Sequence, residues 1–171
     1  VEQRAARPRV SGPQREVAVA DAVRGARGEV VSIHTVRERD GIAESLPEAA
    51  VRAEFGLEGD WRSHSGTPRQ VTLIDEESLR ATGERLGYPV PAGASRRQVM
   101  VRGLPLREIV GKALRAGDVT LAVVEPCDPC DNMNRKIGPG AREAMQGWGG
   151  VSARVLQGGT LRPGDAVVVQ D

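Results

Sequence analysis

Two cysteines three positions apart, Cys127 and Cys130 in Val-Val-Glu-Pro-Cys-Asp-Pro-Cys-Asp-Asn, are the only thiols in a chain of 171 residues. A thiolate is both a nucleophile and a soft metal ligand, and it forms most readily where it is partly exposed beside positive charge. Arg135 and Lys136 follow closely enough to supply that charge. The spacing admits a disulfide, half a zinc site, a thioredoxin-like redox pair, two buried thiols packed as small hydrophobes, or a pair in which one sulfur carries the chemistry. A disulfide closing so short a loop acts as a redox pair rather than a staple. A structural zinc site wants four ligands, and the two histidines, His34 and His64, stand far from the cysteines and from each other. A thioredoxin-like motif needs a helix opening at Cys127 in a βαβ setting. The residues after Cys127 lack the apolar spacing of such a helix.

Two further groups of residues suit an anion. Arg96 and Arg97 precede Gln98 at the head of an apolar run. Guanidinium groups grip phosphate through paired hydrogen bonds, although an exposed arginine pair beside an edge strand has the same appearance. The loop Gly59 to Gln70, "GDWRSHSGTPRQ", has two glycines that let backbone amides approach a bound anion closely. Within it Arg69 and Gln70 are candidate contacts. His64 is either a donor to a ligand or a solvated loop side chain, and Asp60 orders the loop through local hydrogen bonds. Trp148 is either a stacking surface or an anchor between turns. Gly149, Gly150 and Asp165 read as turn residues, and the acids Glu76 and Glu77 as helix-start residues.

Composition narrows the field. The net charge is +1 and aromatics make up 2% of residues, so the sequence offers neither the basic field nor the stacking surface of a nucleic-acid binder. No apolar run is long enough for a membrane-spanning helix. The first 20 residues lack the apolar core of an export signal. With few cysteines, the expected location is cytoplasmic. There is no P-loop, no dinucleotide fingerprint and no serine–histidine–aspartate order.

The elements that must hold these residues are mostly strands. Residues 28–38, 69–75, "QVMV", "LREIV", "VTLAVVE", "VSARVLQ" and "AVVVQ" all read as strands. A further short strand precedes "GLEGDW", and the last two strands are joined by a tight connection. Residues 75–87 read as the clearest helix, capped by Asp75 and stopped by Gly87. "GAREAMQGWGG" holds a helical turn or two. Residues 1–15 read as a mobile extension, and 16–171 as one domain. Short strands, 21 glycines and 11 prolines predict a mainly β domain built as a barrel with a few short peripheral helices.

The ordered set "GEVVSI", "GLEGD", "RQVTLID", "RRQVMVRG", "GDVTLAVVEPCDPC", "GWGGVSARVLQGG" and "LRPGDAVVV" spans Gly28 to Val169. It resembles the MOSC domain, the module named after the C-terminal part of molybdenum cofactor sulfurases. The resemblance implies a MOSC-type β-barrel and binding of the molybdenum cofactor (molybdopterin). It implies Cys130 as the thiolate on molybdenum, with Cys127 at a more variable position. It also implies contacts from Arg69, Gln70, Arg96, Arg97, Gln98 and His64. Gln98 stands where related reductases carry Asn, which moves the amide one carbon outward. Some members reduce N-hydroxylated small molecules and others pass on sulfur. This implies a small-molecule substrate and a separate electron-transfer or sulfur-donor protein. A persulfide carrier and a non-catalytic binding module remain open beside the redox reading.

Overall fold

The computed structural model describes residues 23–170; the extension expected over residues 1–15 lies outside them. Among the described residues, eleven strands and three short α-helices follow in chain order. They are β1 (Arg27–Thr35), β2 (Glu44–Leu46), β3 (Ala49–Arg52), β4 (Gly56–Leu57), β5 (Val71–Asp75), α1 (Glu76–Leu86) and β6 (Val99–Arg102). After them come β7 (Ala113–Ala116), β8 (Val119–Pro126), α2 (Asp131–Lys136), α3 (Ala141–Ala144), β9 (Val151–Gln157), β10 (Gly159–Leu161) and β11 (Ala166–Gln170).

The main sheet runs β11-β7-β8-β9-β5-β6-β1, and pairing of β1 with β11 closes it into a barrel. β2 extends the far half of β1, and β10, β3 and β4 form a small second sheet. The architecture is the mainly β barrel that the strand pattern predicts. Every barrel pairing is antiparallel except β5–β6, which is parallel. A parallel pair needs a crossover, and α1 supplies it. Asp75 caps α1 by accepting the Ser78 amide, and Gly87 ends it in the left-handed conformation at φ 83°.

Alternation along the strands sorts two cores. Val30, Ile33, Leu73, Val99, Val101, Leu114, Leu121, Val123, Val151 and Val155 fill the barrel. Ile74 and Met100 point the other way and meet Leu79, Met133, Ala141 and Met145 of the helices. The helices therefore cover one outer patch of the barrel.

Three expectations change. "LREIV" is a 3₁₀ turn over Leu106–Ile109, entered through Pro105, and not a strand. The last two long strands do not pair: β9 lies between β8 and β5, while β11 lies between β7 and β1. The residues expected as their tight connection contain β10, which leaves the barrel for the small sheet. A short helix, α2, also forms after Cys130, where no helix was expected. Among the described residues no helix is long and apolar enough to cross a membrane.

Candidate functional site

A row of polar residues crosses the outer face of the barrel beside the helical patch. Glu125 of β8 faces Ser152 of β9, and Ser152 faces Thr72 of β5. Gln98, just before β6, lies next to Thr72 and donates its backbone N–H to the Thr72 carbonyl at 3.1 Å. The His34 amide in turn donates to the Gln98 carbonyl at 2.7 Å. Their strand neighbours Val151, Leu73, Val99 and Ile33 point into the barrel, so this row points outward. A register shift between Val123 and Glu125 creates the Glu125–Ser152 match. Such a bulge re-aims the residues beyond it, and here it turns the end of β8 towards the outer face.

Two members of the row carry orphaned polar atoms. Gln98 is 2% exposed and Ser152 is 0% exposed. The Gln98 Oε1 accepts from the Thr72 amide at 2.9 Å and from its hydroxyl at 3.3 Å. The Gln98 Nε2 and the Ser152 Oγ have no hydrogen-bond partner among the described residues. Buried groups of this kind normally find partners, so each is a place where a ligand or water is wanted. His34, at the end of the row, shares a 2.9 Å hydrogen bond with Ser32, and burial lowers its basicity below the usual histidine value.

The thiol loop leaves β8 at the edge of this row. Cys127 donates its N–H to Gly150 O at 2.8 Å and is 7% exposed. Cys130 is exposed and starts α2, its carbonyl accepting from Met133 at 2.9 Å. The loop lies flat on the Gly149–Gly150 corner. A side chain at Gly149 would meet the Cys127 carbonyl oxygen at 2.0 Å and Pro129 Cδ at 3.3 Å. Gly150 needs φ 81° and approaches the Leu73 carbonyl as closely. The two glycines expected as turn residues are thus the seat of the thiols.

Arginine surrounds the pair. Arg97 donates its Nε to Gly149 O at 2.7 Å and an Nη to Ser95 O. Its partners among the described residues are carbonyls rather than carboxylates. Burial pulls the Arg97 guanidinium below the usual arginine value, the charges of Cys127 and Cys130 oppose this, and Arg62 and Arg69 add repulsion. Arg69 pairs with Glu125 at 2.7 Å and also reaches the Cys127 thiol. Burial pushes that thiol above the usual cysteine range, and the charges of Arg97 and Arg69 offset it only in part. The cation shared by both thiols is therefore Arg97. Arg135, expected for that role, instead bonds Asn132, and Lys136 reaches the Asp40 carbonyl.

The other predicted contacts are spread more widely. Arg96 is buried at φ 61° and donates to Gly41 O at 2.9 Å. It shares with Lys136 a groove of about 220 Å³ that no thiol lines. Gln70 spends its amide inside the chain, donating to Thr67 O and accepting from the Val155 amide. His64 is exposed and bonds the neighbouring Ser65 carbonyl. Trp148 is half-buried, with the Arg85 guanidinium 5.3 Å from its ring centre. Asp60 orders the loop, accepting from Thr35, the Val36 amide and Arg62. Arg62, which sequence reasoning missed, joins that carboxylate to the Arg96 carbonyl. Its signal was the charge pair at Asp60 and Arg62, two residues apart. Thr72 and Ser152 were missed as well, and nothing local marks them.

A family model for the MOSC domain matches residues 60–168. This chain belongs to the MOSC family. As a MOSC protein it carries the family's association with the molybdenum cofactor, and the match includes both thiols and every member of the polar row except His34. Solved structures agree at the level of fold. YuaD from Bacillus subtilis superposes with TM-score 0.73 at 16% identity, over 84% of this chain and 95% of that one. YiiM from Geobacillus stearothermophilus gives TM-score 0.69 at 24% identity, over 84% and 75%. YiiM from Escherichia coli gives 0.64 at 21%, over 85% and 70%. No curated protein matches the chain.

The donor set of this MOSC site suits a large anionic cofactor. It offers one exposed sulfur, the Arg97 guanidinium, the Arg69 guanidinium that Glu125 holds, and the free Nε2 and Oγ donors of Gln98 and Ser152. No group of three or more His, Cys, Asp or Glu gathers as a metal cage among the described residues. A metal at Cys130 would therefore have to bring its remaining ligands with it, as an organic metal cofactor does.

Proposed function

We propose that this MOSC protein binds the molybdenum cofactor at the polar row, with Cys130 as its protein ligand, and reduces N-hydroxylated small molecules. The observation that carries the proposal is the exposed Cys130 sulfur within the field of Arg97, an arginine whose partners among the described residues are carbonyl oxygens rather than carboxylates. The bound cofactor would supply two-electron redox chemistry at its metal. Arg97 would neutralise the cofactor's anionic groups, with Arg69 adding to it once released from Glu125, and a guanidinium fixed by carbonyl oxygens is oriented before the anion arrives. Gln98 would donate its free Nε2. Thr72 holds the other end of that amide, which fixes the direction of the donor. The seat at Gly149 and Gly150 sets the position of the sulfur. Electrons would come from a separate electron-transfer protein.

The test is elemental analysis for molybdenum on protein from a cofactor-sufficient host. Stoichiometric metal in the wild type, lost in Cys130→Ser and largely kept in Cys127→Ser, is the expected result. Equal loss in both variants would sink the single-ligand assignment. Absence of metal after loading with cofactor would sink the cofactor reading.

A second reading is favoured by the exposure of Cys130: the sulfur carries a persulfide and delivers it to a client. It predicts a reductant-labile extra sulfur on Cys130 by intact mass.

A further inference from the structure

Cys127 has no part in the single-ligand scheme, yet it is placed where a second thiol would act. It lies three residues from the exposed thiol, and its backbone is fixed by the Gly150 hydrogen bond. It also shares the charge of Arg97 with Cys130. Both sulfurs are free. We propose that Cys127 is a resolving thiol, and that the pair releases sulfide from low-molecular-weight persulfides. This rests on the sulfur-carrying reading of Cys130 and adds a second chemical step to it.

Exposure sets the order of events. Cys130 meets a donor from solvent, whereas Cys127 is buried. In the first step the Cys130 thiolate attacks the outer sulfur of a persulfide R–S–SH. The Cys130–S–SH bond forms and the donor leaves as R–S⁻. In the second step the Cys127 thiolate attacks the inner sulfur of that adduct. A Cys127–Cys130 disulfide forms and HS⁻ departs, protonated by water. The outer sulfur is reduced to sulfide, the two cysteines are oxidised to the disulfide, and no other oxidant is needed. An external dithiol resets the pair.

Thiol–disulfide chemistry explains why the buried thiol suits the second step. A thiol of higher pKa is the stronger nucleophile once ionised but is ionised in a smaller fraction, so the cations that moderate the rise matter to this step. Burial raises the pKa of Cys127, and Arg97 and Arg69 moderate that rise. The charge of Arg97 also acts on both sulfurs, so it stabilises negative charge as it passes from one to the other.

The experiment uses the full chain, reduced and desalted, incubated with glutathione persulfide. Sulfide is measured and the protein is followed by intact mass and by peptide mapping of the 127–130 disulfide. The expected wild-type result is one equivalent of sulfide per chain and a loss of two hydrogens. Cys127→Ser and Cys127→Ala should both gain one sulfur atom on Cys130 and release sulfide at least tenfold more slowly. Cys130→Ser should do neither. Melting curves of the two Cys127 variants check that they fold, and agreement between them separates the thiol from an effect of the buried hydroxyl. Sulfur that stays on Cys130 in the wild type, with no disulfide, would overturn the resolving role and leave the carrier reading standing. Failure of Cys130 to take up sulfur in any protein would overturn both.

Discussion

Gly149→Ala tests whether the glycine corner positions the thiols. The added Cβ would lie 2.0 Å from the Cys127 carbonyl oxygen, where real contacts essentially never fall below 3.0 Å. The obstacle is backbone, so the loop itself must move. That movement strains the 2.8 Å bond from Cys127 to Gly150 and the 2.7 Å bond from Arg97 to Gly149. Overpacking costs about 1–3 kcal/mol and each lost hydrogen bond about 1 kcal/mol, so the expected loss is about 3–5 kcal/mol. For a domain of this size that lowers the melting midpoint by roughly 6–20 °C. Gly66→Ala is the control: it has φ 89° and nothing within 4 Å of an added Cβ, so only the backbone penalty applies. That penalty is about 1–2 kcal/mol. The assay pairs thermal unfolding with maleimide labelling read by mass. Wild type should label quickly at Cys130 and slowly at Cys127, whereas Gly149→Ala should expose Cys127. A Gly149→Ala protein that melts with the Gly66→Ala control and still protects Cys127 would refute the seating role.

Other substitutions test the surroundings. Burial lowers the His34 pKa, so the unfolded chain protonates first as pH falls through the ordinary histidine value near 6.5. Stability should therefore be full above that pH and fall below it, and His34→Gln should flatten this slope in denaturant titrations between about pH 5 and 7. At Asp60, burial opposes ionisation, but the hydrogen bonds and charge of Arg62, with the Val36 amide, outweigh it and hold the carboxyl below its usual range. Its contribution should persist above about pH 4 and disappear as acid protonates it, and Asp60→Asn should lose that dependence. Burial raises Asp75 despite its hydrogen bonds from Ser78, so ionisation there opposes folding at neutral pH. Asp75→Asn should keep the α1 cap and melt at or above wild type at pH 7, whereas Asp75→Ala should cost about 1 kcal/mol.

What local chemistry determines was readable in advance. α1 was visible because Asp75, Glu76, Glu77 and Gly87 each signal an end of a helix through neighbours within one turn. The thiols and the twin arginines were visible by type and spacing. The polar row was not, because Glu125, Ser152, Thr72, Gln98 and His34 come from five separate segments. They align only through strand register and one bulge. "LREIV" misled because five residues cannot separate a period of two from a 3₁₀ turn, and Pro105 favoured the turn. The segment after Val155 misled because its glycines read as a hairpin loop. Instead, Gly158 packs under the Val51 carbonyl, as close as 2.5 Å from an added Cβ, and steers β10 to β3.

The ring of strands also has a biosynthetic consequence. Its closure pairs Arg27 with Val168, among the earliest and latest described residues. During synthesis β1 must wait for β11, and until β11 emerges both β1 and β7 present unpaired edges. Such edges recruit other chains, and contacts this distant in sequence form slowly. Until Ala166–Gln170 has cleared the ribosome, the nascent chain therefore holds an open, adhesive sheet. Exposure to misassembly is thus concentrated in the interval before β11 arrives, and a holding chaperone would be most useful then.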